Sequence, residues 1–356
     1  MATTTRPARN LVTFRQPSTS QPNGPLIGDV WVQTDTKFVR VWSGFAWLDL
    51  QWGFLPAGYS PGGITGANPV STINRIRFAD ETISALFSGL SATKRLGLWG
   101  FSSKYAGYSA GGDNNSGAYF STVDRLMFDF ETTATLVSTL TGSRSQGIGA
   151  FESSSAGYWC GGSQSNGSDR LDRVDKLTFQ TNSIATNTSS LTGTRDFGCG
   201  GFAGTSAGYC CGGLEAGDTE INTINKLTFS NDNVANNTST LTSTRERAAG
   251  AFESSITGYT CGGNENAAAT YLNLIDKLTF SNDNVASIAS TLSSSRARGV
   301  FGFSSKRAGY TGGGIISGGT QISTINRLLF SNETTASLAS TLNSTRQEGM
   351  GGYETR

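Results

Sequence analysis

The pattern Gly-Tyr-x-x-Gly-Gly occurs six times, at Tyr59, Tyr108, Tyr158, Tyr209, Tyr259 and Tyr310, at steps of 49 to 51 residues. Self-similarity at a fixed period of this size marks a chain made by stacking one supersecondary unit. Each residue is therefore read first as part of the unit, and only then as an addition to it.

Each unit reads as four elements. The first ends in an aromatic and a serine-rich turn, as in Phe151-Glu152-Ser153-Ser154 and Phe252-Glu253-Ser254-Ser255. The second is Ala-Gly-Tyr-x-x-Gly-Gly, and a variable stretch follows it. The third is Ile73-Asn74-Arg75-Ile76-Arg77-Phe78 and its equivalents. Apolar residues at i, i+3 and i+5 break a strict period of two, so a small irregularity or burial of both faces is expected there. After an Asn/Asp-type turn comes a Ser/Thr/Ala/Leu-rich fourth element. A link then closes each unit with arginine: Arg95, Arg144, Arg195, Arg245, Arg296 and Arg346. Four short strands per unit, joined by Gly and Asn/Asp turns, predict the blades of a β-propeller. The density of Gly, Ser and Thr and the absence of a 3.6 period argue against a helical repeat.

The expected fold is all-β, a six-bladed propeller over 51–356 with blades near 52–95, 96–144, 145–195, 196–245, 246–296 and 297–345. The first unit lacks the arginine lead-in, whereas Arg346 to Tyr353 begins a seventh. Residues 346–354 are therefore expected to supply the first strand of blade one, leaving few free sheet edges. With its double glycine and the basic residue opening each unit, the repeat resembles the kelch-type propeller repeat. It departs from that pattern in carrying Phe78, Phe128, Phe179, Phe229, Phe280 and Phe330 where kelch units carry Tyr and then Trp.

Residues 1–24 are polar and proline-containing and read as an extended arm. Residues 25–50 show three short strands of period two. Their pattern, Gly28-Asp29-x-Trp31-x-x-Thr34 followed by Val41-Trp42-x-Gly44-x-x-Trp47, resembles a small module of bacteriophage tail-fibre and other virion proteins. That resemblance implies anchoring through Trp31, Trp42 and Trp47. A segment this short cannot bury a sufficient core alone, so it should pack on a partner chain, on symmetry mates or on the propeller; a generic cap on the propeller is the plainer alternative.

Composition narrows the function. The chain has no histidine, which removes the commonest general base and metal ligand. Its net charge of +1 lacks the basic excess of a nucleic-acid binder. No apolar run approaches a membrane span, and residues 1–10 lack the apolar stretch of a secretory signal. Of five cysteines, Cys160, Cys211 and Cys261 share one repeat slot with Pro61, Ala110 and Gly312, so they read as small fillers. Neither a disulfide framework nor a zinc site is expected. No catalytic residue, cofactor or metal is assigned.

The stretches after each double glycine, 64–71, 113–121, 163–173, 214–222, 264–274 and 315–323, are the candidate binding loops, expected on the same face as the links. Their candidate contact residues are Tyr119, Phe120, Asn166, Asp169, Arg170, Glu215, Asp218, Asn264, Glu265 and Tyr271. The closing arginines read either as a cation ring for an anionic ligand or as struts bonding neighbouring carbonyls and acids. The Asn/Asp-Lys/Arg pair of each third strand reads as structural, and Glu81, Glu131, Asp232, Asp283 and Glu333 as turn formers.

The functional expectation is a virion structural protein, a tail fibre, spike or other appendage. It would be assembled in the host cytoplasm as a homo-oligomer and joined to other virion proteins through residues 1–50. Its propeller would bind a host-surface glycan or another virion protein. The alternatives are a polysaccharide-cleaving propeller using a carboxylate pair among Asp169, Asp172, Glu215, Asp218 and Glu220, and a cellular kelch-like adaptor.

Overall fold

A computed structural model describes residues 14–33, 38–50, 56–94, 99–114, 116–147, 149–164, 169–198, 200–248, 250–265, 270–299, 301–349 and 351–355. Every regular element among them is a β-strand. The chain divides into two compact units, Met1–Leu55 and Pro56–Arg356.

The first unit holds one four-stranded sheet, ordered Phe14–Ser18, Val30–Gln33, Phe38–Trp42, Trp47–Leu50. The three expected strands are present. Phe14–Ser18 adds a fourth, paired parallel to Val30–Gln33, inside the segment read as an extended arm. Pro17 hides this strand in the sequence, yet it is harmless on an edge, where a missing N–H breaks no inner ladder. Trp31 is 2% exposed, its ring 5.5 Å from that of Trp47 and edge-on to it. Trp42 lies 5.6 Å from Trp47, its ring tilted at 58°.

The second unit contains six four-stranded antiparallel sheets. In the third, Gly149–Glu152, Ala156–Cys160, Val174–Thr178 and Ser183–Thr186 lie in sequence order. The sheets built on Ala106–Ala110, Ala207–Glu215, Thr257–Cys261 and Ala308–Gly312 repeat this plan as the second, fourth, fifth and sixth. The first sheet alone departs from sequence order. Its strands Ala57–Pro61, Ile73–Arg77 and Ile83–Ala85 are completed by Tyr353–Glu354, with Tyr353 opposite Tyr59. The first strands of all six sheets line one shared cavity.

Each sheet packs on the next through the same contacts. The glycine before each repeat tyrosine faces an aromatic ring of the preceding sheet: a Cβ on Gly208 would lie 1.9 Å from the Phe151 ring, and one on Gly258 2.0 Å from Phe202. Gly58 meets Phe303 and Gly107 meets Tyr353 in the same way, so the sixth sheet packs on the first and Tyr353 fills the first sheet's phenylalanine position. Each tyrosine ring then stacks on the third-strand phenylalanine of the following sheet. Tyr209 on Phe280 has centroids 5.7 Å apart and planes at 13°, and Tyr310 on Phe78 has 5.3 Å and 15°. The Phe that departs from the kelch pattern is thus the flat partner of a neighbour's tyrosine.

Third strands are buried on both faces, which accounts for their irregular polarity. In the first, third and fifth sheets their register with the second strand is unbroken. The polar residue after the first apolar one faces the closing cation of the preceding unit. Arg144 bonds Asp175 at 2.8 Å and Arg245 bonds Asp276 at 2.7 Å, all four essentially without solvent exposure. Arg195 donates to Asn225. Arg346 donates to the Asn74 amide oxygen at 2.9 Å, and Arg296 to the carbonyls of Thr324 and Thr311. In the first repeat Arg95 lies outside the described residues, and Lys94 makes the pair, with Asp124 at 2.8 Å. Burial pushes the Arg296 and Arg346 guanidinium pKa values down to about 10, as neither faces a carboxylate. These cations are struts between sheets, and the alternative of an exposed cation ring is set aside.

The turn acids have a second task. Glu81, Glu131, Asp232, Asp283 and Glu333 take left-handed backbone, φ 49–59°, as turn formers do. Each also receives two groups from the preceding sheet. Asp232 accepts from the Tyr158 hydroxyl at 2.8 Å and from Lys176 at 2.6 Å. Glu81 accepts from Tyr310 and from Arg327, again joining the sixth sheet to the first.

Two substitutions test this packing by urea unfolding. Gly258→Ala should cost about 1–3 kcal/mol, because the Phe202 ring has no room to retreat. Arg245→Ala should cost about 3–5 kcal/mol by stranding the Asp276 carboxylate, and Arg245→Ala with Asp276→Ala should recover part of that loss. A Gly258→Ala variant as stable as the parent protein would contradict the first expectation.

Candidate functional site

The double glycines end the second strands with left-handed backbone. Gly212 and Gly213 have φ 53° and 111°, and the strand register shifts there. The chain then enters the variable stretches, several of which fold as short hairpins: Ile64–Thr65 with Asn68–Pro69, Asn264–Glu265 with Thr270–Tyr271, and Ile315–Ile316 with Thr320–Gln321. Each hairpin base is tied to the preceding link. Ser163 pairs with Ser145, Leu214 with Asp196, Asn264 with Glu246, Ile315 with Ala297, and Ile64 with Gln347. Loops and links therefore lie together at one end of the sheets.

The candidate contact residues fall into distinct environments there. Arg170 lies between two carboxylates. It bonds the buried Asp196 at 2.8 Å and also contacts Asp218, whose side chain is 80% exposed. It thereby clamps the loop of the third sheet to that of the fourth. Asp169 is exposed. Glu215, Glu265, Tyr119 and Tyr271 are half-buried. Phe120 lies against the Lys94 ammonium, 5.5 Å from its ring centroid, and so belongs to the inter-sheet strut. Asn264 has no solvent exposure and donates to Glu246 at 2.7 Å, so its side chain secures the link and is not presented to a ligand. Asn166 lies outside the described residues.

The links also build a depression apart from the variable loops. Two residues after the buried cation, Gln146, Phe197, Arg247, Arg298 and Glu348 all take left-handed backbone, φ 49–58°. Each amide after the first donates to the carbonyl of its predecessor: Phe197 to Gln146, Arg247 to Phe197, Arg298 to Arg247, Glu348 to Arg298, at 2.8–2.9 Å. Their side chains line one open depression together with Trp99. The Arg247 guanidinium lies 3.8 Å from the Phe197 ring centroid and 3.4 Å from Glu246. Arg298 pairs with Glu348 at 2.7 Å.

Trp99 stands where the other repeats carry Gly149, Gly200, Gly250, Phe301 and Gly351. Its indole lies against Gly200, where a Cβ would come within 3.2 Å of it. It packs on core clusters of both the second–third and the fourth–fifth sheets. The sequence held a signal for this group. Five links share the arginine, yet the residue two places on is Gln, Phe, Arg, Arg or Glu. Variation beside constancy marks a position the scaffold does not dictate.

Burial sets the electrostatics. It lifts the Asp196 carboxyl to about 6, with Arg170 pulling the other way, and raises the Glu246 carboxyl in the same direction. Burial also pushes the Cys261 thiol up to about 12. Cys160, Cys210, Cys211 and Cys261 are buried, and Cys199 lies outside the described residues. Among the described residues no group of three or more His, Cys, Asp or Glu side chains could hold a metal ion. Among them, too, no helix is long and apolar enough to cross a membrane. No protein-family model matches the chain, and no curated protein matches it.

Two measurements follow from these environments. A carboxyl titration by NMR should place Asp196 near 6. The folded state holds that proton to higher pH than the unfolded chain, so this site's contribution to stability falls as pH rises from about 4 to about 6. Asp196→Asn should flatten that part of the pH–stability profile; a midpoint near 4 would refute the expectation. Peptide mapping after iodoacetamide at pH 8 should find Cys160, Cys210, Cys211 and Cys261 unmodified until denaturant is added.

Proposed function

We propose that the six sheets are the blades of a six-bladed, kelch-like β-propeller. On this reading the chain is a bacteriophage virion structural protein, a tail fibre, spike or other appendage. The propeller reading is supported by the cyclic order of contacts. Gly58 on Phe303 and Tyr310 on Glu81 join the sixth sheet to the first, and Gly107 on Tyr353 joins the first to the second, through the contacts used by every other pair. The cavity lined by all six first strands would be the central passage, with Trp99 as a plug across it.

The observation that carries a binding role is the segregation of individuality. Contacts between sheets repeat six times, while the residues that differ among repeats gather at the loop-and-link end. A rigid scaffold that varies at one end suits ligand recognition. Its target would be a host-surface glycan or another virion protein. The virion reading rests on residues 25–50 and their resemblance to the phage module. The Trp31–Trp47–Trp42 cluster gives that segment its aromatic packing, and one small sheet gains stability by docking on partners. Attachment to other virion proteins through residues 1–50, and homo-oligomerisation in the particle, complete the proposal.

Truncation tests it. A protein lacking residues 1–50 should keep the parent β-sheet circular dichroism and cooperative melting, retain binding to host cells, and fail to enter particles. Normal incorporation of the truncated protein would remove the anchoring role. Absence of binding to host cells or to purified virion components would remove the recognition role.

A further inference from the structure

We propose that the depression bounded by Gln146, Phe197, Arg247, Arg298 and Glu348 binds a carboxylate-bearing sugar residue, a uronic or sialic acid; this rests on the reading of the loop-and-link end as a glycan-binding surface. Four observations lead there.

The first is charge. Arg247 and Arg298 occupy adjacent positions in the chain of link residues, with side chains 19% and 26% exposed. Two residues before each link position lies a buried cation. Three of these, Arg195, Arg296 and Arg346, meet amides or carbonyls instead of carboxylates. Of the acids nearby, Glu348 pairs with Arg298 and Glu246 lies 3.4 Å from Arg247, and the Nε of each arginine is left without a hydrogen-bond partner among the described residues. These unmet donors favour an anion.

The second is preorganisation. Stacking on Phe197 holds the Arg247 guanidinium flat, so its fork of donors is set for the two oxygens of a carboxylate. The third is an unmet acceptor. Gln146 is 4% exposed and lines the depression, yet its Oε1 is buried without a hydrogen-bond partner. A buried amide oxygen left unpaired costs free energy that a ligand hydroxyl would recover. The fourth is backbone. Left-handed conformation at five non-glycine residues is costly, and it is kept in all five described links while the side chains change. The amide-to-carbonyl bonds between successive links hold it, giving the varied side chains a fixed base from which to meet a ligand. The aromatic ring of Trp99 beside these groups suits the apolar face of a sugar ring. A carboxylate for the arginines, a hydroxyl donor for Gln146 and an apolar face for Trp99 describe an acidic sugar better than a phosphate or a neutral hexose.

The test uses the full chain and isothermal titration calorimetry at low salt with D-glucuronate, N-acetylneuraminate and a galacturonate tetramer. The methyl esters of the two monosaccharides and D-glucose serve as neutral controls. At least one acid should bind, its neutral counterpart about tenfold or more weakly. Arg247→Gln and Arg298→Gln should each weaken binding by about tenfold, and Gln146→Leu by a few-fold; Arg298→Gln also removes the Glu348 pair and should lower the melting temperature, whereas Gln146→Leu should leave it close to that of the parent. Equal affinity for acid and ester, unchanged affinity in both arginine variants, or no binding of any acid would overturn the site. A neutral host glycan that binds equally well to Arg247→Gln would overturn this site while leaving glycan recognition intact. Acid-dependent binding here without attachment to host cells would uphold the site and count against host recognition.

Discussion

The glycine before each repeat tyrosine brings the backbone of one sheet onto the face of a ring from the sheet before it, as Gly208 does on Phe151. No side chain fits between them, so the spacing of neighbouring sheets is set by the thickness of an aromatic ring. The other contacts follow from that spacing. The tyrosine is carried onto the next phenylalanine at 5.3–5.8 Å in near-parallel stacks. Its hydroxyl reaches the next turn acid, and the closing cation reaches the next third strand. Burying so many charges is tolerable because nearly all have a partner one sheet away. Where the partner is an amide or a carbonyl, the cation feels its burial, and Arg296 and Arg346 bind their protons less tightly.

This division of labour explains why the candidate site lies at one end. Along the middle of each sheet, every face is committed to a neighbour. At the links that commitment ends two residues past the cation, where the backbone turns left-handed and the side chain is released from the repeat. Five such positions, held edge to edge by their own amides, form a rim whose chemistry changes without disturbing the sheets. Arg170, bridging Asp196 and Asp218, shows that part of the loop surface is itself cross-braced.

Much of the scaffold was legible in the sequence because its physics is local and repeated. The double glycines, the turn acids and the small-residue slot of Cys160, Cys211 and Cys261 each announce a steric need. The pairing of Tyr353 with Tyr59 was legible too, since Arg346 to Tyr353 copies the lead-in that the first unit lacks. What escaped was of two kinds. Phe14–Ser18 is an edge strand whose parallel partner is set by the fold, and Pro17 obscured it. Trp99, Arg247 and Arg298 carry no motif. They stand out only when compared with Gly200, Gln146 and Glu348, residues that become neighbours once the repeats are arranged. Asn264 misled in the opposite sense: a polar residue in a variable stretch turned out to be internal, because the first residue of each stretch still belongs to the link.

The strand Tyr353–Glu354 has a consequence for how this protein comes into being. Five sheets are each drawn from one continuous stretch and can form as the chain emerges. The first sheet cannot, since Thr355 meets Ala57 across 298 residues of sequence. Until then Ala57–Pro61 has an unpaired edge, and Gly107 has no ring to rest against. Ribosomes would carry five formed sheets and an open seam, and two such chains near each other could close one another's seam instead of their own. Spacing between ribosomes, and the speed at which Tyr353–Glu354 arrives, therefore bear on whether the domain pairs its own strand or exchanges it with a second copy.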